Sequence, residues 1–130
     1  MLIDTVAWVL TENGAVLCVR PTGRREFFVP GGKREGAETD RETLLREIHE
    51  ELTLTLDPTT LRHLATYQAP VSGQDSTPVR MSCYRAHHHG TPRPSQEIAE
   101  LDWLTYRDRD RVPPVDQLLF DDLRADGHLR

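Results

Sequence analysis

A chain of 130 residues, 37% hydrophobic and 28% charged, has the composition of a globular protein and the length to bury a core without staples. A net charge of −5 leaves no basic excess for gripping a nucleic-acid polymer, though a small phosphorylated ligand held through metal ions is compatible with it. No apolar run approaches the roughly 20 residues that span a bilayer, and the opening MLIDTVAWVL lacks the basic flank of a signal peptide, so no membrane partner is expected.

Residues 2–10 are rich in β-formers and read as a strand, with Glu12-Asn13-Gly14 as a turn and residues 15–20 as its hairpin partner. Residues 21–25 read as loop, and Glu26-Phe27-Phe28-Val29 as a short apolar run stopped by Pro30-Gly31-Gly32. A helix is predicted next. Thr39 or Asp40 caps it, acidic residues fill its first turn, and Leu44, Leu45, Ile48 and Leu52 make one apolar stripe before Asp57-Pro58 interrupts. Residues 61–69 and 78–86 read as strands around the loop 71–76, and residues 98–106 as another. Pro113-Pro114 opens a second helix with Val115, Leu118, Leu119 and Leu123 as its core stripe and Gly127 near its end. This order predicts one mixed α/β (α+β) domain over residues 1–130, a sheet packed between helices, with no repeat or linker. Cys18 and Cys83 lie in apolar strand-like segments and are expected as buried thiols, which fits a reducing cytoplasm.

At about 100° per residue, Glu47, Glu50 and Glu51 share an arc beside the apolar stripe. The ordinary reading is a solvated acidic face. Two features oppose it. Like charges at these spacings repel by about 0.2–0.5 kcal/mol per pair, and the helix carries no lysine to relieve them, only Arg41 and Arg46. The glutamates also border the apolar stripe, and half-buried carboxylates destabilise a fold unless a cation offsets them. Mg²⁺ takes such oxygen ligands and completes its shell with water and phosphate. Pro30-Gly31-Gly32, just upstream, lets backbone come close to a phosphate or a metal.

Gly32-x5-Glu38-x7-Arg46-Glu47-Ile48-x-Glu50-Glu51-x-Thr53-Leu54 resembles the Nudix box at every defined position but one, Thr53 standing where the family has glycine. Val29-Pro30-Gly31-Gly32 is similar to the family's usual lead-in. The resemblance implies a Nudix α/β/α sandwich with a mixed sheet between helices. It also implies Mg²⁺-dependent (or Mn²⁺-dependent) hydrolysis of a phosphoanhydride bond in a nucleoside di- or triphosphate derivative. By position, Glu47, Glu50 and Glu51 are the implied metal ligands, with the Gly32 carbonyl; Arg46 is implied to orient the glutamates and Glu38 to support them. Because a β-branched residue tolerates the left-handed region poorly, Thr53 is expected to alter the helix end locally.

Pro94 to Leu104 resembles the family's second acidic segment, which implies a further metal ligand or the general base in this loop; Glu97 is the candidate ahead of Glu100, and a glutamate of the box is the alternative base. Arg20, Arg24 and Arg25 are either solvated or in reach of phosphates; Arg20 and Arg25, with Gly31 and Gly32, form the candidate substrate-binding set. His87-His88-His89 reads as a loop or hairpin tip, since consecutive residues do not share a face. Trp8, Phe27, Phe28 and Tyr67 read as core or wall. A (d)NTP pyrophosphohydrolase is the leading expectation. ADP-ribose or another NDP-sugar is the alternative, with Pro70 near the position where ADP-ribose-cleaving relatives carry a proline. A non-catalytic nucleotide sensor is the alternative of another class. A cytoplasmic monomer or homodimer acting on a small nucleotide completes the expectation.

Overall fold

The computed structural model describes residues 1–130. In chain order the elements are β1 (Ile3–Trp8), β2 (Thr11–Glu12), β3 (Ala15–Pro21), β4 (Gly31–Lys33), α1 (Asp40–Leu52), β5 (Thr55–Leu56), β6 (Arg62–Pro70), β7 (Pro78–Arg85), β8 (His88–His89), β9 (Ile98–Leu104) and α2 (Pro114–Ala125). One sheet has the order β4-β1-β7-β6, a second β2-β3-β9, and β5 and β8 form a two-stranded ribbon. The β1–β7 pair is parallel and the rest antiparallel.

The two-residue alternation of strands sorts the core into two layers. Val6 and Trp8 of β1, with Leu17 and Val19 of β3, bury against Leu44, Ile48 and Leu52 of α1. Ala7, Val16, Cys18, Met81 and Cys83 bury instead with Val115, Leu119, Phe120 and Leu123 of α2. Both faces of β1 and β3 are covered, which is why Val6-Ala7-Trp8 and Val16-Leu17-Cys18-Val19 are buried without interruption. The result is the expected mixed sheet sandwiched between helices. Both cysteines are buried free thiols. No helix is long and apolar enough to cross a membrane.

Four local expectations need correction. Residues 2–10 and 15–20 are not hairpin partners: β1 has β4 on one edge and β7 on the other, and the hairpin is β2–β3 about Asn13-Gly14. Gly31 and Gly32, expected only to stop the preceding apolar run, are strand residues in β4, facing Ala7 and Val6. His88 and His89 are not a tip but pair with Leu56 and Thr55, and His88 sets its ring edge against Trp8, centroids 5.3 Å apart. On α2, Leu118 is 36% exposed, and the buried stripe instead includes Phe120 and Asp116.

Candidate active site

Helix α1 is built to present one face. Thr39 caps it in a capping box: its hydroxyl accepts from the Glu42 amide at 3.1 Å, and Glu42 accepts from the Thr39 amide at 3.0 Å. The apolar stripe anchors one side, with Leu45 half-buried at its margin. Glu47, Glu50 and Glu51, at i, i+3 and i+4, project beside it.

Arg46 organises the start of this face. Its guanidinium forks onto Glu38 through Nε–Oε2 at 2.8 Å and Nη2–Oε1 at 2.9 Å. It also donates to Glu47 Oε1 at 2.9 Å and lies 3.5 Å from Glu50 Oε2. Glu38 further accepts from the Glu35 amide and the Thr43 hydroxyl. With Arg46 first among these causes, its carboxyl falls to about 2. Glu47 has the opposite balance: its side chain is only 16% exposed, and burial raises its pKa against the pull of Arg46.

Glu51 is the most perturbed acid on the helix. Desolvation pushes it up to about 8, against the Gly31 amide that donates to Oε1 at 3.0 Å and with help from Glu47, Glu50 and Glu97. A carboxylate held out of water with one N–H partner suits a cation. The donor set fits a hard divalent metal in chemistry, all carboxylate oxygen. The side chains do not converge as a ready ligand group, because Arg46 draws Glu47 and Glu50 while Gly31 holds Glu51.

Glu47 and Glu51 line a cavity of about 710 Å³ together with Gly31, Gly32 and Glu97. Gly32 makes room there: a Cβ on it would fall 2.4 Å from the Glu47 carboxyl carbon. Glu97 sits on the loop before β9, where its carbonyl accepts from the Thr22 amide at 2.8 Å. Glu100 does not reach the cavity and instead pairs with Arg20 at 2.7 Å. That pairing follows from the β3–β9 register, which sets Arg20 opposite Glu100.

Neither Arg20 nor Arg25 lines the cavity; the cations that do are Arg24 and Lys33. Arg24 stands over the Phe28 ring, 5.2 Å from its centroid, and pairs with Glu26 at 3.0 Å. Lys33 is exposed, directly after Gly32, and its place beside the glycines was the signal for it. Phe28 is part of the wall, whereas Trp8 and Phe27 are core, and Tyr67 donates to Asp122 away from the site.

Asp116 was not singled out from the sequence. It lines the cavity from the first turn of α2, is 3% exposed, and accepts from the Val29 amide at 2.9 Å. Burial raises its pKa to about 7. A carboxyl three and four residues before Leu119 and Phe120, hence on the apolar stripe, was the available sign. The helix end at Thr53 also differs from expectation: Thr53 adopts φ 56 and ψ 30, the left-handed cap a glycine would supply, so the end is not altered.

Among solved structures, the chain is similar to the E. coli ORF135 protein, at 26% identity over 96% of this chain and 92% of that one, with a TM-score of 0.72. It is similar in fold to a MutT protein from Methanosarcina mazei Go1, at 19% identity over 97% and 95% of the two chains and a TM-score of 0.72. It is also similar in fold to a UDP-X diphosphatase, at 20% identity over 98% of this chain and 64% of that one, with a TM-score of 0.66. No curated protein matches the chain. The NUDIX domain family model matches residues 1–123, and the chain belongs to the Nudix family, a hydrolase of phosphorus-containing anhydrides.

Proposed function

We infer that residues 1–130 act as one domain, a Mg²⁺-dependent pyrophosphohydrolase of nucleoside triphosphates, with Glu47, Glu50 and Glu51 as the residues that would hold the metal. The observation that carries this reading is the gathering of Glu47, Glu51 and Glu97 along a cavity that also holds Arg24, Lys33 and Asp116. Bound there, Mg²⁺ supplies positive charge that offsets the phosphate chain and lowers the pKa of the attacking water.

The chain's own groups do the rest. Arg46, braced by Glu38, keeps Glu47 and Glu50 oriented. Arg24 and Lys33 meet phosphate oxygens, where each N–H donor stabilises charge that grows as the anhydride P–O bond breaks. Glu97 takes the proton from the water as its oxygen bonds phosphorus. Phe28 and Asp116 remain to meet the base, an apolar face and a polar edge.

Pro70 closes β6 but does not line the cavity, so it lends no support to an ADP-ribose reading. A sensor without catalysis is disfavoured, because every glutamate of the box, Glu38, Glu47, Glu50 and Glu51, is present. The test is a panel of nucleoside triphosphates, ADP-ribose and NDP-sugars with Mg²⁺ and product identification. Pyrophosphate plus a monophosphate is expected from a triphosphate, and Glu51→Gln is expected to lower kcat by about 10³-fold or more with the fold retained. Turnover of NDP-sugars alone, or wild-type kcat in the variant, contradicts the reading.

A further inference from the structure

The segment that carries Glu97 also closes the end of α1. A helix leaves its last carbonyls without intrahelical donors. Here the Leu52 carbonyl accepts from the Arg93 amide at 3.0 Å, and the carbonyl of Glu51 itself accepts from the Ser95 amide at 3.0 Å. Glu97 follows two residues later. Its own carbonyl is held by the Thr22 amide at 2.8 Å, so the short path from Ser95 to Glu97 is tied at both ends.

Gln96 lies between the two ties, at φ 53. The Ile98 amide donates to the Ser95 carbonyl at 3.1 Å and closes a turn over Gln96 and Glu97. A turn with positive φ at its first central residue favours glycine there. The other non-glycine residues with positive φ are Asn13 and Thr53. Asn13 serves an Asn-Gly hairpin and Thr53 a helix cap, both local needs. Gln96 likewise serves a turn, the one that Ile98 closes, but it stands where glycine is favoured and its side chain is exposed. Strain of this kind persists where the surroundings over-determine it. What it achieves here is direction, because the residue it turns is Glu97, which lines the cavity together with Glu51.

We propose that Gln96 is a positioning residue, whose left-handed conformation, clamped by the Ser95–Glu51 and Thr22–Glu97 backbone bonds, holds Glu97 at the cavity that Glu51 also lines. This rests on the reading of Glu97 as proton acceptor. The experiment measures kcat, KM and the pH profile with the four deoxynucleoside triphosphates and Mg²⁺, for Gln96→Val, Gln96→Gly and Gln96→Asn. Gln96→Val is measured again in a Glu97→Gln background.

Glycine and asparagine accept positive φ, so both variants are expected to keep kcat and the pH profile within about twofold. Gln96→Val is expected to lower kcat by about tenfold at unchanged KM, and to lower it no further once Glu97→Gln is present. Loss of activity in both Gln96→Gly and Gln96→Asn overturns the positioning role, as does wild-type kcat in Gln96→Val or an equal loss in both backgrounds. Wild-type kcat in Glu97→Gln alone overturns instead the role of Glu97, and with it the premise.

Discussion

Gly31 and Gly32 are neighbours of identical chemistry whose missing side chains do different things. A Cβ on Gly31 would meet the Val6 carbonyl oxygen at 2.0 Å, from a backbone at φ 147 that other residues avoid. That clash is with the β1 main chain and has no easy relief. The three atoms nearest a Cβ on Gly32 are those of the Glu47 carboxyl, at 2.4–2.6 Å, and a flexible side-chain end can swing away. Gly31→Ala is therefore expected to destabilise the fold by about 2 kcal/mol or more. Gly32→Ala is expected to leave the melting temperature near wild type yet lower kcat by about 10²-fold through displaced Glu47. Denaturation and steady-state assays on the pair check this, and equal stability losses would contradict it. At this scale helix geometry turns spacing into a face, and Glu47 and Glu51 both line the cavity, whereas Glu50, on the same arc, lies outside its lining. The choice among Arg20, Arg24 and Arg25 was not legible in the sequence. What separates them is a partner 80 residues away, Glu100, which captures Arg20 and leaves Arg24 to the cavity.

Helix α1 shows how an element can keep its shape with one unsuitable residue. Thr53 occupies the left-handed cap, donates its amide to the His49 carbonyl at 3.1 Å and its hydroxyl to the Leu52 carbonyl at 2.6 Å. The neighbouring carbonyls are met from outside by Arg93 and Ser95. A β-branched residue in that conformation costs about 1–2 kcal/mol, and glycine would escape it while losing the hydroxyl contact and adding about 0.5–1 kcal/mol of unfolded-state entropy. Thr53→Gly is thus expected to be neutral or to stabilise by about 1 kcal/mol, with Mg²⁺ affinity and kcat unchanged. Urea unfolding at constant m-value and a Mg²⁺ titration measure both, and a large loss of affinity would refute it. The strands were legible as β from composition but not in their pairing. Residues 2–10 and 15–20 flank an Asn-Gly turn, yet β1 is drawn between β4 and β7 because both its faces and both its edges have partners in the core. Short strands such as β4 and β8 carry no alternation to read.

The whole molecule gathers carboxyls with raised pKa values around one cavity: Glu47 and, with larger shifts, Glu51 from α1 and Asp116 from α2. Desolvation comes first in each, lifting Glu51 from 4.5 to about 8 and Asp116 from 3.8 to about 7. An acid whose pKa is higher folded than unfolded binds more protons in the native state between those two values. Stability therefore falls as pH rises through that window, here from about pH 4 to about pH 8. The site and the fold pull in opposite directions, since ionised carboxylates that suit a metal weaken the protein that holds them. In metal-free buffer the thermal midpoint is expected to drop between about pH 5 and about pH 9. Asp116 offers the cleaner probe, being only 3% exposed and no candidate metal ligand. Asp116→Asn keeps an acceptor for the Val29 amide and removes the charge, so it is expected to gain about 2–4 kcal/mol on wild type between about pH 5 and about pH 9. Excess Mg²⁺, binding the folded state as proposed, is expected to raise the midpoint of both proteins at the higher pH. Calorimetry of wild type and variant across that range, with and without Mg²⁺, decides the matter, and a variant whose midpoint falls with pH as steeply as wild type's would show that Asp116 is not held neutral by burial.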